Sequence, residues 1–182
     1  MWIMIPILIV LIILLFVICY NSLVSSRNKV KEEWSGISVQ LERRFDLIPN
    51  LVETVKGYVK HEEETLSKLT ELRTSWTSAE TIKEKGTLEN SLSSSLKSIY
   101  AVAENYPDLK ASETFQQLQL ELANTEEKIA SSRIIYNNAV TNYNTKLETI
   151  PSNLVANLFH FEKAELFELE NEEVRKNIKV SF

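Results

Sequence analysis

The sequence predicts an all-α protein: an N-terminal transmembrane helix continuing into an antiparallel four-helix bundle, followed by a C-terminal tail. Three observations lead there. Residues 2–20 run nineteen positions without a charged side chain, apolar residues beyond them recur at steps of three and four, and only three glycines occur in 182 residues. Turn-rich β proteins need many more glycines, whereas a few long helices need few.

The first element is the apolar run bounded by Trp2 and Tyr20. At ~1.5 Å per residue it reaches roughly 28 Å, close to the ~30 Å hydrocarbon thickness of a bilayer. A secretory signal would show a basic leader, a shorter apolar core and a small-x-small cleavage site, and none is present here. Pro6 falls in the first turn, where its missing N–H costs least. Cys19 fits an apolar membrane-end position, because Ile18 stands where bacterial lipidation requires a small residue. Arg27, Lys29 and Lys31 follow the run, with Arg43 and Arg44 further on, and basic residues stay on the cytoplasmic side. The expected topology is therefore a single pass through the cytoplasmic membrane, N-terminus outside and the large domain inside.

Beyond the span, Pro49, Pro107 and Pro151 divide the chain, since the residue before a proline is pushed out of the α region. The first segment carries Val24, Arg27, Val30, Trp34, Ile37, Leu41, Phe45 and Ile48 on one helical face, as an unbroken continuation of the anchor. The second repeats the pattern at Leu51, Val55, Tyr58, Glu62, Leu66, Leu69, Arg73 and Trp76, with Asp46 and Asn50 as polar atoms for the preceding turn. A weaker break is expected between residues 78 and 86, after which Thr87 is placed to cap a third helix with Leu88, Leu92, Ser95, Ile99, Val102 and Tyr106 on one face. The fourth and longest stripe runs through Phe115, Leu118, Leu122, Thr125, Ile129, Ser132, Tyr136, Val140, Tyr143, Leu147 and Ile150. Amphipathic helices joined by short connections fold back on their neighbours, which makes an antiparallel bundle with coiled-coil-like seams. The expected domains are residues 1–21 as span, 22–151 as bundle and 152–182 as tail. That tail begins helix-like at Leu154, Leu158 and Phe159 and ends in the period-two alternation of Ile178, Val180 and Phe182.

Composition bounds the function. A net charge of −5 argues against a nucleic-acid partner. The lone cysteine allows neither an internal disulfide nor a thiolate metal cluster.

Several motifs run in order along the chain: Tyr20-Asn21-Ser22-Leu23-Val24, Val39-Gln40-Leu41-Glu42-Arg43-Arg44, Asp46-Leu47-Ile48-Pro49-Asn50-Leu51-Val52 and Val55-Lys56-Gly57-Tyr58. They continue with Glu104-Asn105-Tyr106-Pro107-Asp108-Leu109-Lys110, then Glu126, Ile129 and Arg133, then Tyr136-Asn137, Tyr143-Asn144, Pro151-Ser152-Asn153 and the terminal Val180-Ser181-Phe182. Together these closely resemble the signature of the LemA family. The resemblance implies one N-terminal membrane helix and a cytoplasmic antiparallel helical bundle in a bacterial or archaeal membrane, with no established biochemical activity. It also makes a membrane zinc metalloprotease a candidate partner, since genes of the family often sit near those of such enzymes. Asn157 and His160 stand where relatives usually carry glycine, so a sharp backbone turn is not expected there.

Catalytic constellations are scarce. A di-metal bundle site needs Glu-x-x-His pairs, and the two histidines, His61 and His160, do not supply them. His61-Glu62-Glu63-Glu64-Thr65 lacks the second histidine of a zinc-protease helix and reads as a solvated charged face. His160, between two phenylalanines, reads as a packing residue. No Gly-rich nucleotide loop or nucleophile-elbow motif accompanies the remaining polar residues. No enzyme activity and no cofactor is expected.

The signature polar residues Arg43, Arg44, Asp46, Asn50 and Glu53 cluster about the first turn, and Glu104, Glu126 and Arg133 are placed to pair across helices. Charged groups at bundle contacts fix register and partner choice. Tyr136, Asn137, Tyr143 and Asn144 repeat at one heptad and lie on one stripe, with core tyrosines bonded at the rim. The expectation is a non-enzymatic, membrane-anchored scaffold or adaptor that meets a protein partner or a second copy of itself. The alternatives are a single-pass signal transducer or an accessory subunit of a membrane metalloprotease.

Overall fold

A computed structural model describes residues 4–59 and 62–168. Trp2, His61 and the period-two alternation at residues 178–182 lie outside the described residues. All regular structure among the described residues is helical: α1 (Met4–Asp46), α2 (Ile48–Lys56), α3 (Glu63–Ser78), α4 (Ile82–Ala103), α5 (Pro107–Ala111), α6 (Glu113–Glu148) and α7 (Ser152–Leu158). Contacts divide these residues into two units. One comprises the chain up to Val39 with Ala130–Leu166, and the other Gln40–Ile129 with Phe167 and Glu168.

In the first unit, α1 begins as the apolar run, and thirteen large apolar residues between Met4 and Ile18 are each 46% to 68% exposed. The helix is long and apolar enough to cross a membrane, and it is not buried as a core helix would be. Farther along, Cys19 and Leu23 are buried against Val155 and Ala156 of α7, with Phe16, Leu147 and Phe161 packed around them. Lys146 of α6 donates to the hydroxyls of Ser22 (3.0 Å) and Ser26 (2.6 Å), one helical turn apart on α1.

The sharp turn judged unlikely after α7 is present. The Phe161 N–H reaches the carbonyl of Ala156 at 2.9 Å and the His160 N–H that of Asn157 at 3.4 Å. This is the paired closure of a Schellman cap, and His160 takes the left-handed residue within it at φ 50°. A histidine adopts that conformation at a cost because the two backbone bonds and the packing of half-buried Phe161 hold it there.

In the second unit, α3 packs on α2 and α4. The core is the apolar stripe of each helix: Leu41, Phe45, Leu51, Val55, Leu69, Trp76, Leu92, Ile99 and Leu122 are all buried. Phe45 and Trp76 stack with ring centroids 4.3 Å apart.

Four local expectations are corrected here. The second segment is two helices, α2 and α3, and Tyr58 is exposed in the turn between them rather than on the stripe. The α2 N-terminus takes no side-chain cap, because the Asp46 carboxylate is held by Arg73 at 2.8 Å instead. The third helix starts at Ile82, not after Gly86. Thr81 accepts the Glu84 N–H at 3.1 Å while Glu84 accepts the Thr81 N–H at 3.0 Å, a complete capping box. Those backbone donors, Thr81 first, hold the Glu84 carboxyl below its usual range. Gly86 therefore lies inside α4, where a Cβ would stand 3.1 Å from the Glu168 carbonyl oxygen and 3.4 Å from the Phe167 ring. Finally, the α6 stripe ends before Ile150, which is 82% exposed beyond the helix.

Relief of the left-handed histidine gives a direct check. His160→Gly is expected to raise stability by about 1 kcal/mol, and His160→Val to lower it, in thermal unfolding of the detergent-solubilised chain. Equal melting of all three proteins would show that the cap does not hold the turn.

Candidate functional site: a buried ion pair and a tyrosine–asparagine ladder

Near its C-terminal end, α1 turns a charged residue into the second unit's core. Arg44 is 1% exposed and pairs through Nη1 with the Glu89 carboxylate of α4, which is equally buried. Its Nη2 reaches the more exposed Glu126 of α6 at 3.3 Å. One arginine thus joins three helices. Desolvating such a pair is expensive; the mutual attraction and the added bond to Glu126 offset that cost in part, while the buried Arg44 Nε has no hydrogen-bond partner among the described residues. Around this core pair lie exposed or half-exposed bonds. Arg43 meets Glu121 at 3.2 Å, Trp76 Nε1 donates to Glu42 at 2.9 Å, and Lys85 stands 5.3 Å over the Trp76 ring.

Glu89 did not stand out in the sequence, although a signal was there. Glu89, Leu92, Leu96, Ile99 and Ala103 are all buried at steps of three and four, so a carboxylate occupies an apolar position of α4. Of the stripe predicted from Leu88, Leu92, Ser95 and Ile99 are buried, whereas Leu88 and Val102 are only half-buried and their neighbours Glu89 and Ala103 take the interior positions.

In the first unit the signature tyrosines and asparagine serve one purpose. The Tyr136 hydroxyl donates to the Glu165 carbonyl at 2.7 Å, and the Tyr143 hydroxyl to the Glu162 carbonyl at 2.9 Å. Between them Asn144 donates to the Ala164 carbonyl at 2.9 Å and accepts the Ala164 N–H at 3.0 Å. The segment after α7 has no helical bonds of its own, and these side chains satisfy its backbone. The register is geometric. Seven residues of helix rise ~10.5 Å and three extended residues ~10 Å, so a heptad on α6 matches a three-residue step of the antiparallel tail. Trp34 of α1 packs its ring 5.5 Å from that of Tyr136. Burial pushes the Tyr136 phenol up to about 12, and that of Tyr143 upward as well. Both hydroxyls therefore remain donors through the physiological range.

The other singled-out residues are dispersed. Pro49 opens α2 and Pro107 opens α5, and Pro151 precedes α7. The Asn50 carbonyl accepts the Thr54 hydroxyl at 2.8 Å, and Glu53 is exposed on α2. The Tyr106 hydroxyl donates to the Glu62 carboxylate at 3.0 Å. Glu104, the C-cap of α4, pairs with Lys110 of the following α5 at 2.6 Å, and Arg133 has no ion pair among the described residues. Asn137 is half-buried beside the ladder, and the Tyr20 ring lies 4.8 Å from that of Phe159. Among the described residues, no three His, Cys, Asp or Glu side chains converge as metal ligands. A groove of about 1020 Å³ between α2 and α3 is lined by Lys56, Glu63, Ser67, Thr70 and Thr74. What these sites offer is directed hydrogen bonding and fixed register.

Breaking the core pair singly is expected to cost about 3–5 kcal/mol, for Arg44→Met as for Glu89→Leu, while the double replacement recovers most of the loss. Denaturant unfolding of the three variants measures this, and additive losses would contradict the pairing. The ladder adds a pH dependence. An unfolded tyrosine ionises near pH 10 and folded Tyr136 near 12, so its contribution is complete below pH 10 and fades as pH rises through 12. The stability advantage of the native chain over Tyr136→Phe is expected to shrink between pH 9 and 11.5. An advantage that does not change with pH would contradict it.

Residues 33–182 match the LemA family. The chain is 30% identical over 137 residues to Protein LemA of Metamycoplasma hominis, covering 75% of this chain and 63% of that protein. It is 24% identical over 175 residues to Magnetosome protein MamQ 2 of Paramagnetospirillum magneticum, covering 82% of this chain and 64% of the relative. With Magnetosome protein MamQ of Magnetospirillum gryphiswaldense the identity is 21% over 174 residues, again 64% of the relative. The chain thus spans less than two thirds of the length of these relatives. With the matched residues covering most of its length, the chain belongs to the LemA family.

Proposed function

We propose that this membrane-associated protein is a non-enzymatic scaffold or adaptor, held in the cytoplasmic membrane by α1 with its N-terminus outside and its helical body in the cytoplasm. One observation carries the reading. The helix that exposes the apolar run from Met4 to Ile18 is the same unbroken helix that places Leu41, Arg44 and Phe45 in a packed core. Whatever binds the helical body is then confined to the membrane, which raises its local concentration without any new contact. The basic residues Arg27, Lys29 and Lys31 after the span support the inward orientation. Lys29 is held charged by Glu33 first and then Glu32, at 2.7 and 3.2 Å.

The occupant of the scaffold is a protein partner or a second copy of the chain. The resemblance nominates a membrane zinc metalloprotease as the partner, with this chain as its accessory subunit. Exposed apolar residues away from the membrane run, Val39 on α1 and Ile134 and Ile135 on α6, supply surface for such contacts.

Crosslinking and mass spectrometry in native membranes is expected to return a defined partner or a stable oligomer, with crosslinks that Ile134→Glu removes. Recovery of the uncrosslinked chain alone would contradict the scaffold reading. Proteolysis of sealed inside-out vesicles is expected to digest the helical body. Digestion in intact cells instead would reverse the topology.

A further inference from the structure

The 13 residues from Thr149 to Phe161 carry no Asp, Glu, Lys or Arg, although Glu148 and Glu162 flank them directly. Within this stretch, Ile150, Leu154 and Leu158 recur every four residues and are 82%, 65% and 63% exposed, and Phe159 beside them is 49% exposed. A helix that showed such a face to water would leave a contiguous apolar patch uncovered. The opposite face of α7 is already committed, since Val155 and Ala156 are buried against Cys19 and Leu23.

The position of α7 along α1 says what covers the exposed face. Phe159 lies 6.0 Å from Phe16 and 4.8 Å from Tyr20, and Phe161 lies 5.9 Å from Tyr20. These aromatic rings surround the last turn of the apolar run, where membrane proteins place their interfacial aromatics. The apolar surface of α7 is therefore continuous with the exposed apolar surface of α1.

The polar side fits the same depth. Arg27, stacked 5.0 Å over the Phe161 ring, lines a cavity of about 320 Å³ with Lys31, His160 and Lys163. Arg27 is seven residues beyond Tyr20, a rise of ~10 Å, and its long side chain reaches back toward the interface. Lipid headgroups occupy ~5–8 Å on each side of the hydrocarbon. Arg27 thus stands near the level of the lipid phosphates, with Lys31, ~16 Å beyond Tyr20, on its aqueous side, and the leucines at the level of the upper acyl chains.

We infer that α7 is a second membrane contact, a short interfacial helix whose Leu154 and Leu158, with Ile150 in the turn before it and Phe159 at its C-cap, are immersed in the lipid of the leaflet where α1 emerges. This rests on the reading of α1 as a membrane span. The contact fixes the depth and azimuth of α1, because two apolar surfaces on one packed unit cannot rotate independently in the bilayer. Such an element binds by its buried apolar area, as interfacial amphipathic helices do.

The full chain, in a Cys19→Ala background, is labelled with an environment-sensitive fluorophore at one of three substitutions, Leu11→Cys, Leu158→Cys or Asn138→Cys. It is then reconstituted in phosphatidylcholine and phosphatidylglycerol vesicles doped with nitroxide lipids. The label at 158 is expected to lose at least half its emission to shallow nitroxides and less to deep ones. The label at 11 should respond most to deep nitroxides, and the label at exposed Asn138 to neither. A label at 158 as unresponsive as that at 138, with 11 still quenched, would overturn the inference and leave the span intact. A blue-shifted but unquenched label at 158 would show a protein surface covering α7 and overturn it equally. An unquenched label at 11 would overturn the span and the inference together.

Discussion

The apolar stretch of α1 cannot be left in water, and the rest of the structure depends on that constraint. Each of its thirteen large apolar side chains presents roughly half of its surface, with no protein packed over it. Insertion of a helix of this composition into a bilayer is favourable by on the order of 5 kcal/mol. Folding the same residues into a protein core would require a second apolar surface of equal length, and the described residues provide none over the first three turns. The helix that leaves this stretch carries charges close behind it, and past Arg27 it packs through apolar seams that hold buried polar bonds.

Past the apolar stretch, specificity comes from polar groups placed inside apolar seams. Leucine and isoleucine seams tolerate sliding by a turn, because one apolar contact resembles the next. Arg44 removes that freedom in one unit, since a one-turn slip would strand its guanidinium and the Glu89 carboxylate without each other. In the other unit the same role falls to Tyr136, Tyr143 and Asn144, whose partners are backbone atoms of the tail rather than side chains. The segment from Glu162 to Glu165 has no helical structure. It is positioned because a helical heptad and an extended tripeptide step have nearly equal length.

Much of this was legible in the residues. The stripes through Ile37, Leu41 and Phe45 and through Phe115, Leu122, Tyr136 and Tyr143 are buried as their spacing requires. The misreadings have identifiable causes. Gly86 looks like a helix end when only backbone freedom is considered, yet its missing Cβ accommodates the Glu168 backbone and the Phe167 ring, neighbours eighty residues away in sequence. The real start signal, Thr81 with Glu84, lies five residues earlier and is purely local. A carboxylate on an apolar stripe, such as Glu89, ordinarily marks a stripe edge, and only the approach of Arg44 makes it interior. The ladder's buried tyrosines with bonded hydroxyls are legible from their heptad spacing, but their acceptors are not, since main-chain carbonyls have no side-chain signature. At His160 the backbone won over intrinsic preference: two hydrogen bonds and a half-buried phenylalanine outweigh the penalty of the left-handed region.

The most direct test is alkaline carbonate extraction of membranes from cells expressing the chain. Lipid immersion of α1 requires that the protein stay in the sedimented membranes and leave them only with detergent. Release of the intact, monodisperse chain into the carbonate supernatant would contradict it, and the exposed apolar stretch would then need a protein to cover it.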